Sequence, residues 1–242
     1  MFFDRRALYI VLAIFVVFSL VSLLSNEGAL LTLLLSVPGV LIAITFHEYA
    51  HAFAADRLGD DTPRRQGRLS LNPFSHLDPI GSLMLIFAGF GWGKPVEINP
   101  RNFNRTMTME KAQALVSFAG PLMNFILTII FTIIYCAMYK FAYGFINTQI
   151  GNIIYVMVQL AAQINLGLGI FNLIPLPPLD GSKILGIFLP YNAKVWFDKN
   201  MNMFYLVFLL LWITGLAGVI ISPIISLADA GITNLIRMIF GI

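Results

Sequence analysis

The chain has 242 residues, 58% of them hydrophobic and only 11% charged, and its mean hydropathy is +0.83. Soluble domains carry about a quarter charged residues, and several apolar runs here reach the roughly 20 residues that cross a bilayer as helix, so a polytopic membrane protein is expected. A single cysteine, Cys136, excludes an intramolecular disulfide and a cysteine-based zinc site. The net charge of +3 does not point to nucleic acid, because the basic residues stand between apolar runs, where orientation signals belong.

Residues 1–6 are short and basic, and 7–24 are almost purely apolar. That core is long for a signal peptide, and Ser25-Asn26-Glu27-Gly28 offers no small-residue cleavage site, so a retained first span is predicted. Residues 29–58 form a second apolar run, broken by Pro38-Gly39 and meeting water at Asp56 and Arg57. Near its end stands His47-Glu48-Tyr49-Ala50-His51, an H-E-x-x-H set in a chain with only three histidines. On a helix, residues four apart share one face. The two imidazoles can then reach one metal ion, with Glu48 beside them to take a proton from water.

The loop at 59–78 carries Arg64, Arg65 and Arg68 just after Arg57, and the positive-inside rule makes it cytoplasmic. Residues 80–92 are apolar, short and rich in glycine, which suits a re-entrant or hairpin segment better than a full span. Residues 94–100 alternate apolar with polar, as a strand does. Such a strand is either plain surface or an edge on which Val96 and Ile98 hold an extended substrate.

A third span is predicted at 112–139, including Gly120-Pro121-Leu122-Met123-Asn124. A fourth runs over 150–179, with Asn165 and Asn172, into Pro175-Leu176-Pro177-Pro178-Leu179-Asp180-Gly181. Three prolines in four positions cannot continue a helix, and irregular backbone at membrane depth survives only where protein or a wet cavity surrounds it. Residues 184–189 are too short to assign, 201–221 form a last span, and 223–242 are expected as a membrane-associated tail. The fold class is therefore an all-α polytopic membrane protein with about five to six transmembrane helices. It has a re-entrant or β-hairpin segment near 80–103 and a broken helix at 172–181, in a single domain over 1–242 with its core near 38–183. No internal repeat is visible. With the N-terminus inside, only Lys140 and Arg237 of the 15 Lys and Arg fall outside.

A catalytic zinc takes three protein ligands and keeps one position open. The metzincin continuation would need glycine at 54 and histidine at 57, where Ala54 and Arg57 stand. Two candidates remain prominent. His76 lies in a polar loop and suits a supporting role. Asp180 follows a long, mostly uncharged run, and a carboxylate left unpaired there is costly. A cation removes that cost, so Asp180 is favoured as third ligand, the alternative being an N-cap for a short helix starting at Gly181.

The H-E-x-x-H on the second run and the Leu179-Asp180-Gly181 turn closing the fourth resemble the site-2 proteases, the M50 family of intramembrane zinc metalloproteases. The likeness extends from about residue 38 to 183. It includes Asn172 and Pro175 before Asp180-Gly181, the Arg68…Asn72-Pro73…His76…Asp78-Pro79…Gly81 stretch, and Gly93-Lys94-Pro95-Val96. Leu179 departs from the Asn or Pro often found there. The resemblance implies one zinc per chain held by His47, His51 and Asp180, with Glu48 as general base. It also implies that Asn172 stabilises the reaction intermediate and Asn124 lines the substrate path. The PDZ-like insert of many relatives is missing.

Cleavage of single-span membrane proteins within or near their membrane segments is thus the expected activity, at the cell membrane, with the zinc toward the cytoplasm. A regulatory membrane partner is one way substrates could be selected; oligomeric state is not legible. The alternative of another class is a non-catalytic zinc scaffold or an ion transporter, since broken helices with polar residues suit transporters too. Glu48 would have no evident task there.

Overall fold

The computed structural model describes residues 27–78, 81 and 93–242. The first predicted span, and the re-entrant run apart from Gly81, lie outside the described residues.

Three long helices pack against one another pairwise: α1 (Glu27–Arg57), α3 (Met109–Phe141) and α5 (Gln149–Asn172). The four-residue helices α2 (Thr62–Arg65) and α4 (Tyr143–Ile146) are connectors. Capping sets two of the starts. The Thr108 hydroxyl accepts from the Lys111 amide at 3.4 Å, and the Thr148 hydroxyl from the Gly151 amide at 3.1 Å. The buried face of α3 is small and polar, with Ala112, Ser117, Gly120, Asn124, Thr128 and Thr132, while Leu115, Leu122, Ile126 and Ile133 point outward. That inverts the soluble pattern. Helices in lipid gain nothing from hiding leucine, and pack instead through small residues and hydrogen bonds. Accordingly, Thr128 Oγ1 donates to the Asn124 carbonyl in its own helix at 2.9 Å and to the Ala162 carbonyl of α5 at 3.4 Å.

α5 stops at Asn172, earlier than the apolar run to 179 suggests. A proline at 175 in helical geometry would clash with the Phe171 carbonyl and supply no N–H. The chain leaves the helix there and re-enters one as α6 (Asp180–Leu185), which packs on α3. The broken helix is therefore present, and the unassigned 184–189 stretch partly resolves into the end of α6.

The C-terminal third differs from expectation. The predicted span at 201–221 is two helices, α8 (Met201–Ile213) and α9 (Leu216–Phe240), preceded by α7 (Tyr191–Lys199). Gly215 between α8 and α9 is left-handed at φ 74°, which favours glycine and breaks the axis. The region expected as a membrane-associated tail, 223–242, is most of a 25-residue apolar helix with Pro223 inside it. α9 ends beside the end of α3: the Phe141 and Phe240 rings are 6.2 Å apart, and Lys140 Nζ donates to the Phe240 carbonyl. The two helices therefore run the same way. Among the described residues, α1, α3, α5 and α9 are long and apolar enough to cross a membrane. The chain is an integral membrane protein.

The predicted strand at 94–100 is extended backbone without a ladder. A single antiparallel bridge joins Leu77 and Gly93 among the described residues, and a 3-10 turn, Pro100–Asn102, closes the segment. Proline at both 95 and 100 removes two of the N–H groups a ladder would need. Side chains hold the segment instead. Asp60, fully buried, accepts from the Asn99 amide at 2.7 Å and from Asn102 Nδ2 at 2.9 Å.

Candidate metal centre

His47 and His51 project from α1 toward Asp180 at the first turn of α6. His47 Nε2 and His51 Nε2 are 3.0 Å apart, and each lies 3.2 and 3.1 Å respectively from Asp180 Oδ2. All three residues are buried. The carboxylate begins its helix and does not cap it, Leu179 being the residue before the first turn, so the N-cap alternative for Asp180 is set aside. Its other oxygen is 3.9 Å from Lys183 Nζ.

The outer nitrogens of the two rings decide what the inner ones offer. His51 Nδ1 is 2.7 Å from the Val116 carbonyl, which can only accept, so Nδ1 carries the hydrogen. His47 Nδ1 is 2.6 Å from Asn124 Oδ1, and the Asn124 amide nitrogen is committed elsewhere, to the Ala43 carbonyl at 3.2 Å and Asn165 Oδ1 at 2.9 Å. Neutral rings in this arrangement turn two lone pairs toward a carboxylate oxygen. Three acceptors at 3.0–3.2 Å repel one another unless a cation or a proton lies among them. Ligand atoms around a tetrahedral ion at about 2.0–2.1 Å are roughly 3.3 Å apart. The triangle is close to that size, and its atom types are those zinc accepts, so His47, His51 and Asp180 fit one zinc ion.

Glycine makes the triangle possible. A Cβ on Gly120 of α3 would lie 2.4 Å from His51 Nε2 and 2.7 Å from His47 Cε1. A Cβ on Gly181 would lie 2.2 Å from the Leu173 carbonyl oxygen, so Gly181 lets α6 close against the end of α5 and brings Asp180 in. Val116, Gly120, Asn165 and Gly181 are contributors that residue chemistry alone does not single out as such. The sequence signs are that Gly181 belongs to the Leu179-Asp180-Gly181 turn of the family resemblance and that the others stand near polar residues inside apolar runs.

The remaining predicted residues fall in distinct places. Glu48 Oε2 accepts the Val96 amide at 3.0 Å, bringing the extended segment against α1 beside the two histidines. The Ile98 side chain is half-buried and packs against the cluster of Ala55, Phe103, Ala112 and Val116. Asn124, expected along the substrate path, is fully buried behind His47 with its polar atoms occupied. Asn172 ends α5 with its amide donating to the Leu168 carbonyl at 3.0 Å, and it makes no bond to the three ligand candidates among the described residues. His76 is buried outside the triangle. Its Nε2 donates to the Ser70 carbonyl at 2.7 Å, and its own carbonyl accepts the Lys94 amide at 2.7 Å, so it secures the loop that delivers Val96.

Comparison with known proteins agrees with this arrangement. The model of peptidase family M50 matches residues 36–215. The chain is 37% identical over 206 residues to YwhC of Bacillus subtilis, a match covering 83% of this chain and 90% of the relative. It is 31% identical over 152 residues to Rip2 of Mycolicibacterium smegmatis, covering 61% of this chain and 54% of that protein. Rip2 of Mycobacterium tuberculosis is 32% identical over 149 residues, covering 60% and 53%. All three are provisionally named zinc metalloproteases. No solved structure matches. A family model matched across three quarters of the chain, on the helices that bring His47, His51 and Asp180 together, settles the affiliation: this chain belongs to peptidase family M50.

Proposed function

We propose that the chain is an intramembrane zinc metalloprotease, hydrolysing peptide bonds within or near the membrane segments of other membrane proteins. The observation that carries this reading is the convergence of two imidazole lone pairs and one carboxylate oxygen at 3.0–3.2 Å, on helices of membrane length, with a glutamate next in sequence to the first histidine. Bound zinc supplies a Lewis acid there and lowers the pKa of water from 15.7 to about 7.

The chain's own residues supply the rest. His47, His51 and Asp180 hold the ion. Glu48 Oε2 is engaged by the Val96 amide, which leaves Oε1 without a hydrogen-bond partner among the described residues to receive a proton from the attacking water and pass it to the leaving amine. Asn172 is proposed to donate to the developing oxyanion once substrate draws its amide away from the Leu168 carbonyl. A substrate helix hides its own amides in internal hydrogen bonds, so it must open before cleavage. The extended stretch at 94–99, lacking ladder partners among the described residues, is proposed to hold the opened segment.

Single-span proteins at the cell membrane are the proposed substrates, with the N-terminus and the zinc toward the cytoplasm. The distribution of basic residues supports this orientation, and the shared ends of α3 and α9 keep Lys140 and Arg237 on one side. Hydrolysis gives the Oε1 of Glu48 a task, whereas a scaffold or transporter needs only the bond that Oε2 makes to the Val96 amide. The test is Glu48→Gln in purified protein reconstituted with a single-span substrate. The variant is expected to retain one zinc per chain while cleavage falls by at least the ~10²–10⁴-fold typical of a lost general base. Wild-type cleavage by Glu48→Gln, or zinc-dependent ion flux into sealed vesicles without cleavage, would overturn the reading.

A further inference from the structure

The hydrogen-bond chain behind His47 continues one residue further than a metal site needs. Asn124 Oδ1 takes the His47 Nδ1 hydrogen at 2.6 Å. Asn124 Nδ2 donates to Asn165 Oδ1 at 2.9 Å, and Asn165 Nδ2 donates to the Ala161 carbonyl at 2.8 Å. Both asparagines have no exposed surface. An amide can be turned end for end at little cost to shape, so what decides its orientation is what it faces. Here the far end is a backbone carbonyl, which only accepts. Asn165 must therefore aim its nitrogen at Ala161 and its oxygen at Asn124. Asn124 must then aim its nitrogen at Asn165 and its oxygen at His47. His47 must carry its hydrogen on Nδ1, and the Nε2 lone pair is what remains for the ion.

We infer that Asn165 of α5 is a positioning residue for the metal centre: through Asn124 it fixes the tautomer of His47 and so the lone pair the ion receives. This rests on the zinc reading above. Asn124 also has the Ala43 carbonyl at 3.2 Å, a longer bond that by itself favours the same orientation. Asn165 thus reinforces a preference that α1 already sets, and the expected effect is that of a graded outer partner. Outer partners of metal-ligating histidines change metal affinity by about 10–100-fold when removed.

The experiment is a double-mutant cycle on zinc affinity, read by chelator competition on purified protein with no substrate present. Asn165→Leu keeps the branch at Cγ and removes both polar atoms, at the cost of a larger side chain in a fully buried site. It is expected to weaken zinc binding about tenfold in the otherwise wild-type chain and to add little in an Asn124→Ala background, where the link to His47 is already cut. Asn165→Ser, whose hydroxyl can donate to the Ala161 carbonyl four residues back as helix serines do, should recover part of the loss. It also serves as the test variant if the leucine form does not fold. Equal losses from Asn165→Leu in both backgrounds, or unchanged affinity in the single variant, overturn the inference. Failure of the underlying reading looks different: the wild-type chain itself would then hold no stoichiometric zinc.

Discussion

Gly120 stands so close to His51 that a single methyl group on it would lie 2.4 Å from the nitrogen facing Asp180. The two residues belong to different membrane helices, and the gap between those helices is set by the thickness of an imidazole ring. Gly120→Ala is therefore expected to leave a folded, inserted protein that has lost most of its zinc, because both rings would have to leave the triangle to admit the methyl. Metal content per chain after purification checks this. Full zinc occupancy in the alanine variant would show that the rings are not pinned by α3.

The identity of the third ligand has its own test. Asp180→Asn keeps the shape and removes the charge, and should weaken zinc by more than the ~10–100-fold typical of an outer partner. His76→Ala should shift zinc affinity by less than about threefold, because the ring bonds to the Ser70 carbonyl and not to the triangle. A larger effect from His76 than from Asp180 would reverse the assignment.

Val96 separates backbone chemistry from side-chain chemistry. Val96→Pro removes the one N–H that Glu48 accepts, so cleavage should drop at least tenfold while zinc affinity holds, given that lost donors to a reacting carboxylate act on catalysis and not on the ligands. Val96→Ala keeps the amide and should cleave within about threefold of wild type. Parallel loss of zinc and cleavage in the proline form would mean that the segment has collapsed.

Asp60 gives a prediction in pH. Burial works against its charge, but hydrogen bonds from Thr62, Asn99 and Asn102 outweigh it and hold the carboxyl below its usual pKa. A group whose folded pKa is depressed contributes stability above its unfolded pKa of about 3.9 and loses that contribution as pH falls through the lower folded value. Acid release of the contacts that Asp60 makes with Thr62, Asn99 and Asn102 should thus begin below about pH 4 and be largely abolished as a distinct step in Asp60→Asn. Hydrogen exchange at Asn99, whose amide bonds to this carboxylate at 2.7 Å, reads it directly.

The long apolar runs and the H-E-x-x-H were legible because lipid and a metal each demand local patterns: twenty apolar residues, or two imidazoles one turn apart. Asp180 was legible for a related reason, as a charge that membrane depth does not tolerate unpaired. What escaped the sequence depends on relations between distant segments. Gly120 looks like an ordinary helix glycine until a ring from α1 is seen against it. Asn124 is legible as a polar residue in a span, but its bond to His47 is not, since polarity in a span does not say which way it faces. The strand at 94–100 failed because alternation is also satisfied by a segment whose alternate side chains, such as Ile98, pack down on a helix. The split at Gly215 was hidden by apolar residues on both sides, for hydropathy averages over a bend.

The order of the ligands and their supports along the chain has a consequence for biogenesis. Both histidines emerge from the ribosome with α1, their partners Val116 and Asn124 follow more than sixty residues later, and Asp180 comes last. A nascent chain that has made only α1 owns two imidazoles without their Val116 and Asn124 partners and without the Asp180 carboxylate that faces them both. Tight metal loading must therefore await synthesis past the proline break, so that a half-inserted chain carries no competent hydrolytic centre into the translocation machinery.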